Sequence, residues 1–433
     1  MNPRSVGVEE EFLLVEPETG RPTAVAGTVL ATAREVGGRG DTAPPLEPEL
    51  QQEQVETASP PSRSLDDLHR ELRRCRATAA AAARQAGAQL AALGTSPVPV
   101  EPSPFGSDRY QRMAEAFGLT AHEQLTCGCH VHVGISSPAE GVAVLDGVGP
   151  WLAPLLALSA NSPFWQGQDS SYASFRYQAW GRWPSSGPTA PFGTPAAYRR
   201  ALEAMVQTGT LLDTGMVYFD ARLSEHYPTI EIRIADVCLR AEDAVLIAAL
   251  ARALVETEAR AEREGEPAPH ARVELLRLAA WRASRSGLDE TLISPVTGRP
   301  EPAQTVVRLL MDHVRDALAD AGDEDTVTDL LGAVLTRGNG AAFQRSAFAR
   351  SGRLEDVVMG AVAATADGSA RLATLTSRGV SAVKPGSARL AWLAITGRPG
   401  RFQAGFGHHE HAHPRAWPGW RAGAGGTGGH RLP

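Results

Sequence analysis

Three consecutive glutamates, Glu9 to Glu11, interrupt an apolar run that extends from Gly7 to Val15. Because the side chains of a β-strand point alternately to its two faces, Glu9 and Glu11 should share one face and Glu10 the other. The two carboxylates on the shared face would lie about 7 Å apart at their Cα atoms. Buried like charges repel one another, so the pattern indicates a divalent cation between them, with a charged edge strand as the alternative interpretation.

Three later segments repeat this arrangement, with polar residues on one face of a predicted strand and apolar residues on the other. The polar pairs are Gln54 and Glu56, His130 and His132, and Glu231 and Arg233. These patterns predict an α+β fold in which an antiparallel sheet has helices on its apolar face and an open, metal-binding polar face. Carboxylates with one or two histidines favour Mg²⁺ or Mn²⁺, whereas zinc would require more nitrogen or sulfur ligands.

The composition excludes several classes of protein. With 433 residues, 43% of them hydrophobic, the chain can form a large core in one large domain or two smaller ones. The formal net charge of -7 argues against nucleic acid as a partner, because a phosphate backbone requires a basic surface. The single lysine, Lys384, lies near the end of the chain, so neither a P-loop nor a pyridoxal enzyme is expected in the main body. Any phosphates would have to be bound by arginines and metal ions.

The cysteines and the apolar segments predict where the protein works. Four cysteines at irregular positions indicate free thiols in a reducing compartment, and Cys127 and Cys129 are expected to pack in the core. No secretory leader is recognised, and no apolar run is expected to reach transmembrane length. The sequence therefore favours the cytoplasm and argues against a membrane partner.

Helices are expected in residues 28–36, from Ser64 to Leu93, from Thr194 to Gln207 and, interrupted by glycines, in residues 241–366. The segment 168–188 alternates aromatic residues and arginines with small polar residues, which is typical either of a lid over a substrate or of an anchored surface loop.

The composition changes near residue 370. Residues 370–433 are rich in Gly, Arg, Pro and His and are predicted to be a disordered tail. Four histidines lie within residues 408–413, so a metal site in the tail is the alternative.

A series of short motifs also carries a resemblance to a known family. The motifs are Gly7–Phe12, Gln54–Glu56, Cys127–Val133, Ala160–Pro163 and Pro228–Arg233. Their order over about residues 5–365 resembles that of bacterial carboxylate–amine ligases, in the YbdK-type branch of the glutamate–cysteine ligase 2 family. The resemblance makes residues 1–369 the catalytic domain, and it extends to no part of the tail.

The resemblance implies a glutamine-synthetase-like fold whose antiparallel sheet forms a funnel for ATP, metal ions and an amino acid. It implies ATP-dependent ligation of L-glutamate, or a similar carboxylate, to L-cysteine or another amine, with weak activity in this branch and with a homodimer as one assembly. Arg233 would face the phosphates, Arg176 would match the arginine of the substrate loop, and Arg222 and His132 would be neighbours of the nucleotide site. The implied metal and phosphate ligands are Glu9, Glu11, Glu56, His130 and Glu231.

The chemistry of such a ligase suits these residues independently. Phosphoryl transfer to a carboxylate needs charge neutralisation and positioning more than a protein nucleophile, and this chain offers glutamates and arginines. A metal-dependent amidohydrolase is the main alternative, because a His-x-His pair on a strand also begins the metal site of amidohydrolase barrels. A non-catalytic protein that binds metal or nucleotide is the third interpretation.

Overall fold

Seven antiparallel strands form the main sheet of the computed structural model, which describes residues 2–37, 46–269 and 271–367. The strand order is β2-β3-β1-β5-β9-β8, and β4 pairs with the end of β1 beyond β5. Two small hairpins, β6-β7 and β10-β11, lie outside this sheet. The strands are β1 (Val6–Val15), β2 (Leu46–Pro48), β3 (Gln54–Ala58), β4 (Gln89–Ala91), β5 (Gly128–Gly134), β6 (Phe164–Trp165), β7 (Gln168–Asp169), β8 (Ala221–Leu223), β9 (Thr229–Asp236), β10 (Thr291–Ile293) and β11 (Pro300–Pro302).

Fourteen helices of the described residues complete an α+β fold, as predicted. Gly287 and Gly338 lie directly after two of them, and the predicted helix at Thr194 begins with that residue as its N-cap. The helices are α1 (Ala26–Gly37), α2 (Leu65–Gln85), α3 (Asp108–Phe117), α4 (Leu119–His122), α5 (Pro138–Val148), α6 (Leu152–Ser159), α7 (Phe175–Trp180), α8 (Pro195–Gln207), α9 (Ala241–Arg263), α10 (Val273–Ser286), α11 (Ala303–Ala321), α12 (Glu324–Arg337), α13 (Gly340–Ser351) and α14 (Leu354–Asp367).

The predicted long helix from Ser64 to Leu93 is wrong at its C-terminal end. Helix α2 begins after its N-cap, Ser64, but it ends at Gln85. Gly87 follows with a φ of +79°, a left-handed conformation that glycine adopts readily, and it reverses the chain. The residues that follow form β4 and pair with β1, because alanine-rich sequence offers no signal to separate a short buried strand from a helix.

The register of β1 places its three glutamates as the alternation predicts. Glu9 lies opposite His130 on β5, and Glu11 lies opposite Glu56 on β3. Val8 and Phe12, which share the side of Glu10, are buried in the apolar core. One face of the sheet is therefore covered by helices, while the other face carries the polar side chains.

The apolar face is covered chiefly by α9, which is buried along most of its length. Its neighbours in the same core cluster include residues of α5, α6 and α11. The segment Pro138–Ser159, which comprises α5 and α6, is long and apolar enough to cross a membrane, contrary to the prediction that no run reaches that length, and 83% of its apolar window is buried inside the protein. Burial in the core accounts for its apolar composition.

Two further predictions can be compared with the described residues. Cys75, Cys127, Cys129 and Cys238 are all free and buried, as expected. The predicted tail, its histidine cluster and the boundary at residue 370 lie outside the described residues.

Candidate active site

A cavity of about 680 Å³ opens on the polar face of the main sheet. Strands β1, β3, β5 and β9 form its floor, and side chains of α3 and α8 contribute to its walls. Predicted site residues from all four strands line it, together with Arg222 on β8. They are Glu9, Glu11, Glu56, His130, His132, Arg222, Glu231 and Arg233. Sheet pairing therefore brings together residues that are more than two hundred positions apart in the sequence.

Three groups of side chains in this cavity could hold a metal ion, because within each group the ligand atoms lie within 4.8 Å of one another. Glu9 and Glu56 are each shared between two groups. The groups are Glu9 with His132 and Glu231, Glu9 with Glu56 and His130, and Glu11 with Glu49 and Glu56. Oxygen-rich groups with no more than one histidine each suit Mg²⁺ or Mn²⁺ better than zinc.

The two histidines are oriented toward these carboxylates. His132 Nδ1 lies 3.1 Å from Thr229 Oγ1, and its Nε2 lies 3.1 Å from Glu9 Oε1. His130 lies between Glu9 and Glu11, with distances of 3.6 Å and 3.7 Å from its two ring nitrogens to their oxygens. Its Nε2 is buried and has no hydrogen-bond partner among the described residues. An orphaned imidazole nitrogen beside carboxylates fits a metal ligand.

Charge repulsion among the carboxylates also favours a metal ion in the cavity. Burial and the nearby charges of Glu49, Glu9 and Glu11 raise the pKa of Glu56 well above its usual value. Burial and the charge of Glu11 raise the pKa of Glu49 to about 7. These carboxylates thus resist simultaneous ionisation on their own, and a bound divalent cation would relieve the repulsion.

The positive side of the cavity is organised by Glu231. Arg222 donates to this carboxylate at 2.7 Å and 3.3 Å, and Arg233 also donates to it. Burial opposes ionisation of Glu231, but the two guanidinium charges outweigh it and lower its pKa. The Arg233 Nε is buried without a hydrogen-bond partner among the described residues, while the Arg233 side chain lines the cavity.

Arg176 occupies a different place from the other predicted site residues. It lies on α7, is only 2% exposed and does not line the cavity. Its guanidinium occupies the space that a Cβ atom of residue 128 would take, on the same side of β5 as His130. The predicted contact between this arginine and a substrate stays a prediction.

Sequence reasoning missed Glu49 and the aromatic wall of the cavity. Glu49 follows the three-residue strand β2, which is too short to show any alternation. Trp180, Trp183 and Tyr218 line the cavity from α7 and the loops after it and before β8. The aromatic composition of 168–188 was the available signal, and the segment contributes to the cavity wall while it is also anchored in an aromatic cluster.

Comparison with known proteins identifies close relatives of the chain. The model of "Glutamate-cysteine ligase family 2" matches residues 5–360. The chain is 56% identical over 356 residues to "Putative glutamate--cysteine ligase 2-1" of Streptomyces avermitilis, covering 82% of this chain and 97% of that protein. It is 53% identical over 363 residues to "Putative glutamate--cysteine ligase 2" of Streptomyces coelicolor, covering 84% and 99%. Both alignments span nearly the whole relative.

Two solved structures share the fold. One is a bifunctional glutathione synthetase from Pasteurella multocida, with a TM-score of 0.61 at 16% identity over 86% of this chain and about half, 53%, of that longer chain. The other is a glutamate–cysteine ligase from Francisella tularensis in complex with AMP, with a TM-score of 0.58 at 14% identity over 92% and 93% of the two chains. At such identities the likeness concerns the fold alone, and it confirms the predicted glutamine-synthetase-like α+β architecture.

Proposed function

The chain belongs to glutamate–cysteine ligase family 2, and from that premise we propose that it is an ATP-dependent carboxylate–amine ligase that joins L-glutamate to L-cysteine or to another amine. One observation carries the proposal. A single cavity holds three overlapping groups of carboxylates and histidines beside two arginines that share one carboxylate. Both signs of charge are needed where a cation-bound triphosphate and a carboxylate must meet.

The proposed cofactor is Mg²⁺, with Mn²⁺ as a substitute. Glu9, Glu11, Glu56, His130 and Glu231 would hold it, and Glu49 joins this set from the geometry. Once bound, the cation would neutralise phosphate oxygens in the cavity. The orphaned His130 Nε2 and the raised pKa of Glu56 support the fit.

The chain's own residues would bind and orient the reactants. Glu231 fixes the side chains of Arg222 and Arg233, and the Arg233 guanidinium would face the phosphate oxygens. The aromatic wall formed by Trp180, Trp183 and Tyr218 suits a planar base or an apolar side chain. The walls of the cavity would thus separate a charged end from an apolar end.

The reaction proceeds in two balanced steps. An oxygen of the donor carboxylate attacks the γ-phosphorus of ATP, the bond to the bridging oxygen breaks, and ADP leaves with an acyl phosphate remaining. The amine nitrogen then attacks the acyl carbon, the carbon–oxygen bond to phosphate breaks, and the nitrogen loses a proton as the amide forms. Neither step requires a nucleophilic Cys, Ser or Lys of the protein, which agrees with the absence of lysine from positions 1–383.

The experiment is an assay of ADP release from the purified full-length chain, with Mg²⁺, ATP, L-glutamate and a panel of amines that includes L-cysteine. Release that requires both the carboxylate and the amine supports the proposal. Glu11→Gln should abolish release, whereas Glu18→Gln, the same change in an exposed turn after β1, should leave it unchanged. Cleavage of an amide without ATP would instead favour a hydrolase, although the described antiparallel sheet is not the barrel which that alternative requires.

A further inference from the structure

Arg176 carries a buried positive charge that lacks a direct partner. Its guanidinium forms no ion pair within 4 Å and donates no hydrogen bond among the described residues, and its Nε is fully enclosed. Within the described part of the chain, the guanidinium carbon lies 5.7 Å from the centroid of the Trp180 ring. Because an uncompensated buried charge is unfavourable, either other residues of the protein must stabilise the guanidinium or a bound anion must compensate its charge.

The position of this guanidinium is defined by Gly128. A Cβ atom at residue 128 would collide with Arg176 Nη2 and would lie 2.9 Å from His130 Nε2. Both nitrogens therefore approach the same point at the start of β5. The Gly128 N–H also donates to Glu11 Oε2 at 2.5 Å. Arg176 thus borders two of the proposed metal ligands on the face of the sheet that carries the cavity.

Asp236, at the end of β9, is fully buried and organises the segment that carries Arg176. Its Oδ2 accepts from the Asn161 N–H at 2.8 Å and from Ser162 Oγ at 2.7 Å, and its Oδ1 accepts from Ser174 Oγ at 2.7 Å. Ser162 Oγ in turn accepts from the Arg176 N–H at 3.0 Å. Ser162 therefore links the Asp236 carboxylate to the Arg176 backbone.

Asp236 also fixes the start of helix α7 through Ser174. Ser174 is the N-cap of α7 and accepts from the Tyr177 N–H, so Asp236 fixes the first turn of the helix from which Arg176 projects. Asn161 is itself locked, since its side chain donates to Ala92 and Val237 carbonyls and accepts from Gln344. The partners of Asp236 on both sides, Asn161 and Ser174, are therefore held in place by further hydrogen bonds.

Charge links the two residues as well. Burial raises the pKa of Asp236, and the charge of Arg176 is the strongest influence that opposes this rise. The carboxylate is thus a counter-charge near the guanidinium without occupying its hydrogen-bond donors. A cation held in this way keeps its N–H groups free for a second anion.

We propose that Asp236 is a positioning residue which, through Ser162 and Ser174, holds the Arg176 guanidinium ready for an anionic group of the substrates. The inference rests on the proposed ligase function for its kinetic test. The anion is either a phosphoryl oxygen of ATP or the carboxylate of the donor, and the two are separated by titrating each substrate.

Asp236→Asn is the primary variant. An asparagine can place its oxygen where Oδ2 accepts two hydrogen bonds and its amide where Ser174 Oγ can accept, so the fold tolerates it while the charge is lost. Its KM for MgATP or for L-glutamate should rise on the order of tenfold or more, as for other residues that orient a ligand-binding side chain. Ser174→Ala, which removes only one of the three contacts, should act in the same direction with a smaller change.

The double variant separates positioning from a structural effect. In an Arg176→Met background, Asp236→Asn should change either KM by less than about twofold, because the residue it acts through is gone. Asp323→Asn is the matched control, since Asp323 pairs with Arg252 and lies remote from the cavity; it should leave both KM values unchanged. Additive effects of the two variants, or a loss of yield with both KM values unaltered, would overturn the proposal.

A structural readout keeps this test independent of turnover. A wild-type chain without ADP release would refute the ligase function, and the crystal structure of Asp236→Asn would then decide the positioning role. The guanidinium should move by about 1 Å or more from its place beside Gly128 and His130. An unmoved guanidinium would overturn the proposal.

Discussion

Arg76 on α2 and Glu10 on β1 form an ion pair that is buried on the side of the sheet opposite the cavity. Arg76 Nε and Nη2 donate to the two Glu10 oxygens at 3.0 Å and 2.5 Å, and neither side chain is more than 4% exposed. Arg76 also donates to the Cys238 and Leu239 carbonyls. The middle glutamate of the three therefore joins β1 to a helix, while its two neighbours face the cavity.

This division predicts different effects for the same substitution at three adjacent positions. Glu10→Gln leaves the Arg76 charge uncompensated and should lower the free energy of unfolding by about 3–5 kcal/mol. Glu9→Gln and Glu11→Gln should retain stability but lose metal-dependent ADP release. Urea unfolding and the ADP assay, run on all three variants, check this. Equal loss of turnover in all three, with Glu10→Gln still folded under the assay conditions, would mean that the strand register is wrong.

Magnesium should stabilise the fold through the carboxylate groups in the cavity. For a site that exists only in the folded chain, Mg²⁺ at 100 times its Kd adds about 2.7 kcal/mol, which raises Tm. Glu56 belongs to two of the three groups, so Glu56→Gln should remove most of this response. Without Mg²⁺ the variant should be at least as stable as the wild type, because one repelling charge is gone. Thermal melts with Mg²⁺ or EDTA measure both effects, and an undiminished response would contradict the site.

Gly128→Ala should abolish most activity through steric contact alone. The added Cβ would collide with the Arg176 guanidinium and lie 2.9 Å from His130 Nε2. Displacements of about 1 Å at a reacting site can reduce rates by on the order of a hundredfold. Gly27→Ala in α1 is the control, since nothing lies within 4 Å of its Cβ, and it should match the wild type in the ADP assay. Comparable activity in the two variants would refute this packing.

Asp220 should contribute stability that is lost as the pH rises from about 4 to 7. Burial raises the pKa of this carboxyl to about 7, against a hydrogen bond from Tyr177 Oη at 3.0 Å. The unfolded chain ionises Asp220 near its ordinary pKa of 3.8, whereas the folded chain must keep it protonated until pH 7. The lost stability is about 4 kcal/mol. Asp220→Asn should remove this contribution from the pH dependence of urea unfolding, so that the variant gains stability relative to the wild type as the pH rises. An unaltered difference between the two proteins across this range would contradict the shift.

Strand alternation predicted the polar floor of the cavity because period-two patterns survive on strands that are buried on one face. Three strands are long enough to show the pattern, and they carry Glu9 and Glu11, His130 and His132, and Glu231 and Arg233. The order of those strands in the sheet could not be read from the same pattern.

The sequence did not reveal site residues that lie in or beside very short strands, or residues whose partners are distant in the chain. Glu49 borders a three-residue strand, and β4 lies in an alanine-rich run. The sequence did not indicate a role for Asp236, because its partners Asn161 and Ser174 come from distant loops. The expected contact of Arg176 with a substrate stays a prediction, and the sequence did not indicate that its guanidinium packs against Gly128 and His130.

The most direct test of the ligase mechanism follows the oxygen atoms of the donor carboxylate. L-glutamate labelled with ¹⁸O in its γ-carboxylate is incubated with the protein, Mg²⁺, ATP and the amine that gives the highest ADP release, and the released phosphate is analysed by mass spectrometry. Attack of the carboxylate on the γ-phosphorus predicts one ¹⁸O atom in each phosphate formed with the amide. Phosphate that contains no ¹⁸O would show that ATP does not activate the carboxylate, and would contradict the proposed function.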